Sequence, residues 1–176
     1  YAKENTPIRA NSPVKVPDIL AIFHLALADK ENIMAGVSEN TSVVVNTDKQ
    51  PDEVRDILKM YAGKLYCIDA LKIALETKSR INMVMLGAIA KTNDFMDIEK
   101  LKQCIENTIG KKYPKALEQN INAIQCGYEN VIFKDISPDN KYDYIVAKDI
   151  ESRWGYKNAP IGGINTLFGN SVCNDI

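Results

Sequence analysis

Apolar residues along this chain fall into short blocks separated by polar, turn-forming stretches. Residues 1–17 are polar and carry Pro7, Pro13 and Pro17, which predicts an extended lead-in. The run Ile19-Leu20-Ala21-Ile22-Phe23-His24-Leu25 comes after Pro17-Asp18 and predicts a buried parallel strand. Residues 28–36 fit a short helix with Gly36 near its C-terminal end. Thr41-Ser42-Val43-Val44-Val45-Asn46, rich in β-branched residues, predicts a second buried strand. Pro51 suits the first turn of a helix, where Asp52 and Glu53 complement the dipole. Val54, Ile57, Leu58 and Tyr61 give that helix one apolar face, and Gly63 is expected to end it. Lys64-Leu65-Tyr66-Cys67-Ile68 reads as a third strand. Asp69 is placed to cap a helix through Leu71, Ile73, Ala74 and Leu75.

This alternation of strand and helix predicts an α/β fold, a Rossmann-like three-layer sandwich with a mainly parallel sheet. Ligands in such folds bind at the carboxyl edge of the sheet. The stretch 81–90 is apolar all round, as expected of a helix buried in the core or against a partner. Two amphipathic helices come next. One starts near Asp97 and stops at Gly110, with Ile98, Leu101, Ile105 and Ile109 on one stripe; the other has Pro114 at its start and carries Leu117, Ile121, Ile124 and Tyr128. Residues 134–160 are rich in Asp, Lys and Tyr and read as a linker or an extended, surface-wrapping C-terminal arm. A new turn-rich segment begins at Ala159-Pro160-Ile161-Gly162-Gly163-Ile164.

Composition narrows the classes of function. The 176 residues fit one domain with an appendage, and 45% hydrophobic with 26% charged residues indicates a folded core. A net charge of −1 argues against a nucleic-acid or anionic-membrane surface. No long uncharged stretch predicts a transmembrane helix. The chain starts at Tyr1 without a signal-peptide pattern, as a fragment or processed product would. Cys67, Cys104, Cys126 and Cys173 are far apart in sequence, so no zinc or cluster motif is formed. They read as reduced thiols of a cytoplasmic protein, at least three of them buried.

Candidate chemistry is sparse. His24, the single histidine, ends a predicted strand, where a catalytic group would be well placed. No cysteine or carboxylate partner lies nearby in sequence, so a hydrogen-bonded structural histidine is the plainer expectation. Asn46-Thr47-Asp48 also comes after a strand. An acidic residue there could meet a ribose, but the glycine-rich loop that accompanies such a site is absent from this chain, and a capping role for Thr47 or Asp48 is expected. Gly162-Gly163 reads as a phosphate nest or, more simply, a turn. Asp69 and Lys72 could orient a ligand or serve as a cap and a solvated lysine. Met83 and Met85 read as core. No residue is assigned a catalytic, cofactor-binding or metal-ligating role. Spacing alone supports a soluble α/β domain and discloses no reaction.

Several stretches, in order, resemble the gamma subunit of 2-oxoacid:ferredoxin oxidoreductases, the pyruvate:ferredoxin oxidoreductase family. They are Pro17-Asp18-Ile19-Leu20 with Val43-Val44-Val45-Asn46-Thr47; Ile68-Asp69-Ala70-Leu71-Lys72-Ile73-Ala74; Asn82-Met83-Val84-Met85-Leu86-Gly87-Ala88-Ile89-Ala90-Lys91; and Lys111-Lys112 with Asn120-Ile121-Asn122-Ala123-Ile124 and Gly127-Tyr128. Asn158-Ala159-Pro160-Ile161-Gly162-Gly163 with Gly169-Asn170-Ser171 resembles the opening of the ferredoxin-like delta subunit. The resemblance divides the chain into a gamma-type α/β domain at 1–133 lacking the family's glycine-rich opening, a linker or arm at 134–158, and the start of a delta-type domain at 159–176. A gamma–delta order of this kind is similar to that of oxalate oxidoreductase, which oxidises oxalate without coenzyme A.

The resemblance implies a cytoplasmic, anaerobic complex in which alpha and beta subunits hold thiamine diphosphate, Mg2+ and 4Fe–4S clusters. The thiazolium carbanion attacks the 2-oxo carbon, CO2 leaves, and electrons pass through the clusters to ferredoxin. This chain would be scaffold and active-site cover, inactive alone and binding no cofactor by itself. His24 stands where relatives often carry an acidic or small polar residue, and Cys173 alone cannot hold a cluster. The alternative is a free-standing ligand-binding module of Rossmann-like fold.

Overall fold

Four strands form one sheet in the order β1-β2-β3-β4, with β1 (Ile19–Ile22), β2 (Ser42–Asn46) and β3 (Gly63–Ile68) parallel and β4 (Ile132–Ile136) antiparallel to β3. The computed structural model describes residues 14–29 and 33–147. All four strands lie in the unit Val16–Ile145. A 3-10 turn at Leu25–Asp29 lies between β1 and β2, and α1 (Pro51–Leu58) between β2 and β3. Four helices separate β3 from β4: α2 (Ala70–Glu76), α3 (Ile81–Lys91), α4 (Ile98–Ile105) and α5 (Leu117–Glu129).

The pleat of the sheet divides the core into two layers. Val43, Val45, Leu65 and Cys67 point one way and pack with Met34, Val37, Val54, Leu58, Met60 and Ile136. Val44 and Ile68 point the other way and pack with Ala70, Ala74, Met83, Val84, Met85, Ala88, Ile105, Ala123 and Ile124. The side-chain period of two along each strand thus supplies both faces. The expected three-layer α/β sandwich with a mainly parallel sheet is the fold observed.

Within the second layer α3 is the central helix. Its residues Met83, Val84, Met85, Gly87, Ala88 and Ala90 are buried by the chain itself, chiefly against α5. A β-carbon placed on Gly87 would lie 2.0 Å from the carbonyl oxygen of Ile124, and one on Gly127 2.0 Å from that of Val84. The two helices therefore cross backbone on backbone, each glycine facing the other helix's main chain. No outside partner is needed to explain why this helix is apolar all round.

Several boundaries differ from expectation. β1 stops at Ile22, leaving Phe23 and His24 beyond it. Among the described residues of 28–36 the expected helix is not seen: the 3-10 turn ends at Asp29, 33–36 form turns, and Gly36 has φ 82°, outside the right-handed helical region. α1 ends at Leu58 with Lys59 in the left-handed conformation, and Gly63 opens β3 rather than closing the helix. Asp97 caps α4 as expected, accepting from the amides of Glu99 and Lys100 at 2.8 and 3.0 Å. The helix then relaxes into a π-turn over Glu106–Gly110. The segment expected as an arm from residue 134 begins instead inside β4, whose Phe133 sits opposite Tyr66 with ring centroids 4.9 Å apart. Residues 137–145 then run along α1. Residues 148–176, and with them the Gly162-Gly163 turn and the delta-like segment, lie outside the described residues. Among the described residues no helix is long and apolar enough to cross a membrane.

Candidate functional site: the carboxyl edge of the parallel sheet

β1, β2 and β3 end side by side, and Asn46, the last residue of β2, ties the three ends together. Its side-chain Nδ2 donates to the carbonyl of Phe23 beyond β1 at 3.1 Å, and its Oδ1 accepts from the amide of Ala70 at the start of α2 at 3.0 Å. The Thr47 amide adds a bond to the Ile68 carbonyl at 2.8 Å. A parallel sheet edge leaves main-chain groups without ladder partners, and one carboxamide, donor at one end and acceptor at the other, satisfies two of them.

The other candidates from the sequence take plain roles. His24 is exposed, its ring makes no hydrogen bond to a described residue, and its carbonyl accepts from the Leu27 amide at 3.1 Å. The expected hydrogen-bonded histidine is thus not observed: the strand ends two residues earlier and turns the ring to solvent. Thr47 accepts from the Lys49 amide at 3.1 Å, a local turn ahead of α1. The N-cap position of α1 belongs to Gln50, which makes no side-chain cap, so neither Thr47 nor Asp48 is the cap expected. Pro51 and the acidic first turn carry that start instead. Asp69 does cap α2, accepting from the Lys72 amide at 2.9 Å, while Lys72 itself is exposed. Met83 and Met85 are core.

The expected burial of at least three cysteines is not found either. Cys67 is buried on β3, where burial pushes its thiol up to about 12. Cys104 on α4 is exposed and Cys126 on α5 half-buried. Among the described residues no three His, Cys, Asp or Glu side chains gather as a metal site would require. The described cysteines, one buried on β3, one exposed on α4 and one half-buried on α5, form no set that would hold an iron–sulfur cluster. A shallow groove of about 620 Å³ between α4 and α5 is lined by Lys102, Leu117, Glu118, Ile121, Asn122 and Gln125.

What the carboxyl edge does offer is uncovered apolar surface. Phe23 is 37% exposed, Leu27 46%, Leu71 54% and Leu75 71%. Phe23 and Ala70, the neighbour of Leu71, both bond to Asn46, and Leu75 lies one turn further along α2. In the sequence Asn46 stands out as a member of the Val-Val-Val-Asn-Thr stretch and of the Asn46-Thr47-Asp48 turn after β2. The signal that could single it out is a carboxamide closing an otherwise β-branched buried strand.

Comparison with known proteins places the chain in a family. Residues 2–130 match the family described as "Pyruvate ferredoxin/flavodoxin oxidoreductase". The "Pyruvate/ketoisovalerate oxidoreductases common subunit gamma" of Thermococcus kodakarensis is 34% identical over 125 residues, 68% of this chain and 68% of the relative. The "Pyruvate synthase subunit PorC" of Thermotoga maritima is 34% identical over 127 residues, 70% of this chain and 65% of the relative. The crystal structure of pyruvate oxidoreductase subunit PORC from Thermotoga maritima superposes with a TM-score of 0.61 at 30% identity, covering 69% of this chain and 67% of that one. The chain thus spans about two thirds of the length of these relatives. By the family match over residues 2–130, the identity to these relatives and the shared fold, the chain belongs to the pyruvate ferredoxin/flavodoxin oxidoreductase family, as a gamma-type oxidoreductase subunit.

Proposed function

We propose that this chain is a noncatalytic gamma-type subunit of a cytoplasmic 2-oxoacid:ferredoxin oxidoreductase complex. In this reading alpha and beta subunits carry thiamine diphosphate, Mg2+ and 4Fe–4S clusters. They decarboxylate the 2-oxoacid oxidatively and pass its electrons to ferredoxin. Residues 16–145 serve as scaffold and cover beside that site, and residues 159–176 open a delta-type ferredoxin-like domain.

One observation carries the reading. The relative from Thermococcus kodakarensis is named as a gamma subunit common to pyruvate and ketoisovalerate oxidoreductases. A subunit shared by two enzymes with different substrates does not itself choose between them, so substrate chemistry belongs to other subunits. The carboxyl edge suits that division, since it offers exposed apolar side chains beside an Asn46 that ties the strand ends. Exposed apolar clusters of this kind suit a partner's coverage, which also weighs against a free-standing ligand-binding module.

The test is to isolate the complex anoxically from its source by way of this chain. Thiamine diphosphate, iron and sulfide are then assayed, along with 2-oxoacid-dependent reduction of ferredoxin. All are expected in the co-purified material. A preparation containing neither thiamine nor iron and inactive on every 2-oxoacid tried overturns the proposal.

A further inference from the structure

Residues 137–145 leave β4 and cross α1 without joining the sheet. Among the described residues their one main-chain bond to the rest of the unit runs from the Gly36 amide to the Ile145 carbonyl, at 2.8 Å. Side chains supply the other attachments, and they converge on Arg55 of α1. Its guanidinium grips Asp139 in a two-pronged pair at 2.8 and 2.7 Å. Its Nε reaches the Met60 carbonyl at 3.4 Å, and the Tyr142 ring lies 5.8 Å from it. Next to it on α1, Asp56 takes Lys141 as ion partner and accepts from the Tyr142 hydroxyl at 3.0 Å. Tyr144 meets Tyr61 edge to face at 5.9 Å, and Ile145 packs onto the core layer beneath α1.

Arg55 is only 12% exposed, whereas Asp139, Lys141 and Asp56 are about half exposed. Exposed pairs contribute little each and weaken with salt. A segment without a hydrogen-bonded ladder belongs to the low-stability end of a fold. The strands and helices, by contrast, rest on two fully buried apolar layers. Attachments so different in strength give way at different free energies.

We propose that residues 137–145 form an ion-latched strap that opens as a unit off α1, with Arg55 as the latch, while the sheet and its helices stay folded. Opening bares Arg55, Tyr61 and the edge of the core layer under Ile145 and frees Asp56 from Lys141, turning a closed face of α1 into a charged and aromatic one.

Amide hydrogen exchange of the full chain tests this residue by residue. The Gly36 amide, bonded to the Ile145 carbonyl, reports the strap's attachment; Val44 and Leu65 report the sheet. Raising salt from about 0.1 M to about 1 M shortens the screening length from roughly 10 Å to roughly 3 Å. It is expected to speed exchange at Gly36 about tenfold while Val44 and Leu65 keep their rates. Arg55→Met at low salt is expected to reproduce most of that speed and to keep only the smaller salt response of the Lys141–Asp56 pair. Should Arg55→Met also speed Val44 and Leu65, Asp139→Asn decides, because Asp139 touches neither core layer. A Gly36 amide exchanging only at the rate of the sheet, or salt-independent exchange, or an Asp139→Asn chain with wild-type protection at Gly36, each overturns the strap.

Discussion

Gly87→Ala is the substitution whose sign is most informative. In an exposed helix interior, replacing glycine by alanine gains about 1 kcal/mol. At Gly87 the new β-carbon would stand 2.0 Å from Ile124 O, 2.9 Å from Ile124 C and 3.0 Å from Tyr128 N, all main-chain atoms. A relaxed carbon–oxygen contact needs roughly 3.3 Å, so α3 and α5 would have to part by roughly 1.3 Å at their crossing. Backbone cannot swing aside as a side-chain tip can. Met85, Val84, Ala123 and Ile124, packed beside the crossing, would lose contact together. Overpacking costs about 1–3 kcal/mol when side chains can adjust. With two backbones opposed the upper end applies, leaving a net loss of about 2 kcal/mol after the propensity gain. For a chain of this size that lowers Tm by roughly 4–8 °C. Circular-dichroism melts and urea titrations of Gly87→Ala, Gly127→Ala and the pair give the measurement. The double variant is expected to lose less than the sum of the singles, because the first methyl already separates the helices. A Tm that is unchanged or raised in either single variant refutes the close crossing.

Individual residues lead to further expectations. Asn46→Ala removes both bonds at the sheet edge and should cost about 1–2 kcal/mol in a urea titration; Asn46→Asp keeps the acceptor facing Ala70 and should cost less, and an unchanged midpoint for alanine means the edge is not tied there. Among the described cysteines, thiol reagent followed by peptide mass analysis should label Cys104 first, Cys126 slowly and Cys67 only after unfolding; early labelling of Cys67 contradicts the buried β3. The Arg55 guanidinium holds the Asp139 carboxyl down at about 2, below the ordinary value near 4. A depressed folded pKa contributes stability that is present above the unfolded value and lost as pH falls from about 4 toward 2. Protection at Gly36 should fall across that window in the wild type and be flatter in Asp139→Asn.

Local signals in the sequence carried a good deal of this structure. The β-branched run at β2, Pro51 with its acidic first turn, and the capping aspartates Asp69 and Asp97 act within a few residues of where they stand, so their effects can be read in place. β4 escaped because it is an edge strand with Lys134 and Asp135 at its centre, and its pairing residues on β3 lie more than sixty positions earlier. The exposure of Cys104 was legible after all: it falls off the stripe of Ile98, Leu101, Ile105 and Ile109, and only the general preference of cysteine for burial suggested otherwise. Gly87, Gly127 and Arg55 act across distances that no local pattern encodes. At the candidate site, Asn46 could be placed at a strand end from sequence, but which main-chain groups its carboxamide would join depended on how three strand ends align.

If this chain works inside an assembly whose chemistry lies in other subunits, a native mass spectrum of the material isolated through it from its source will show that assembly intact. The expected result is a complex well above the mass of one chain, releasing larger subunits on activation. A colourless species at the mass of a single chain, with no other subunit released, would contradict it.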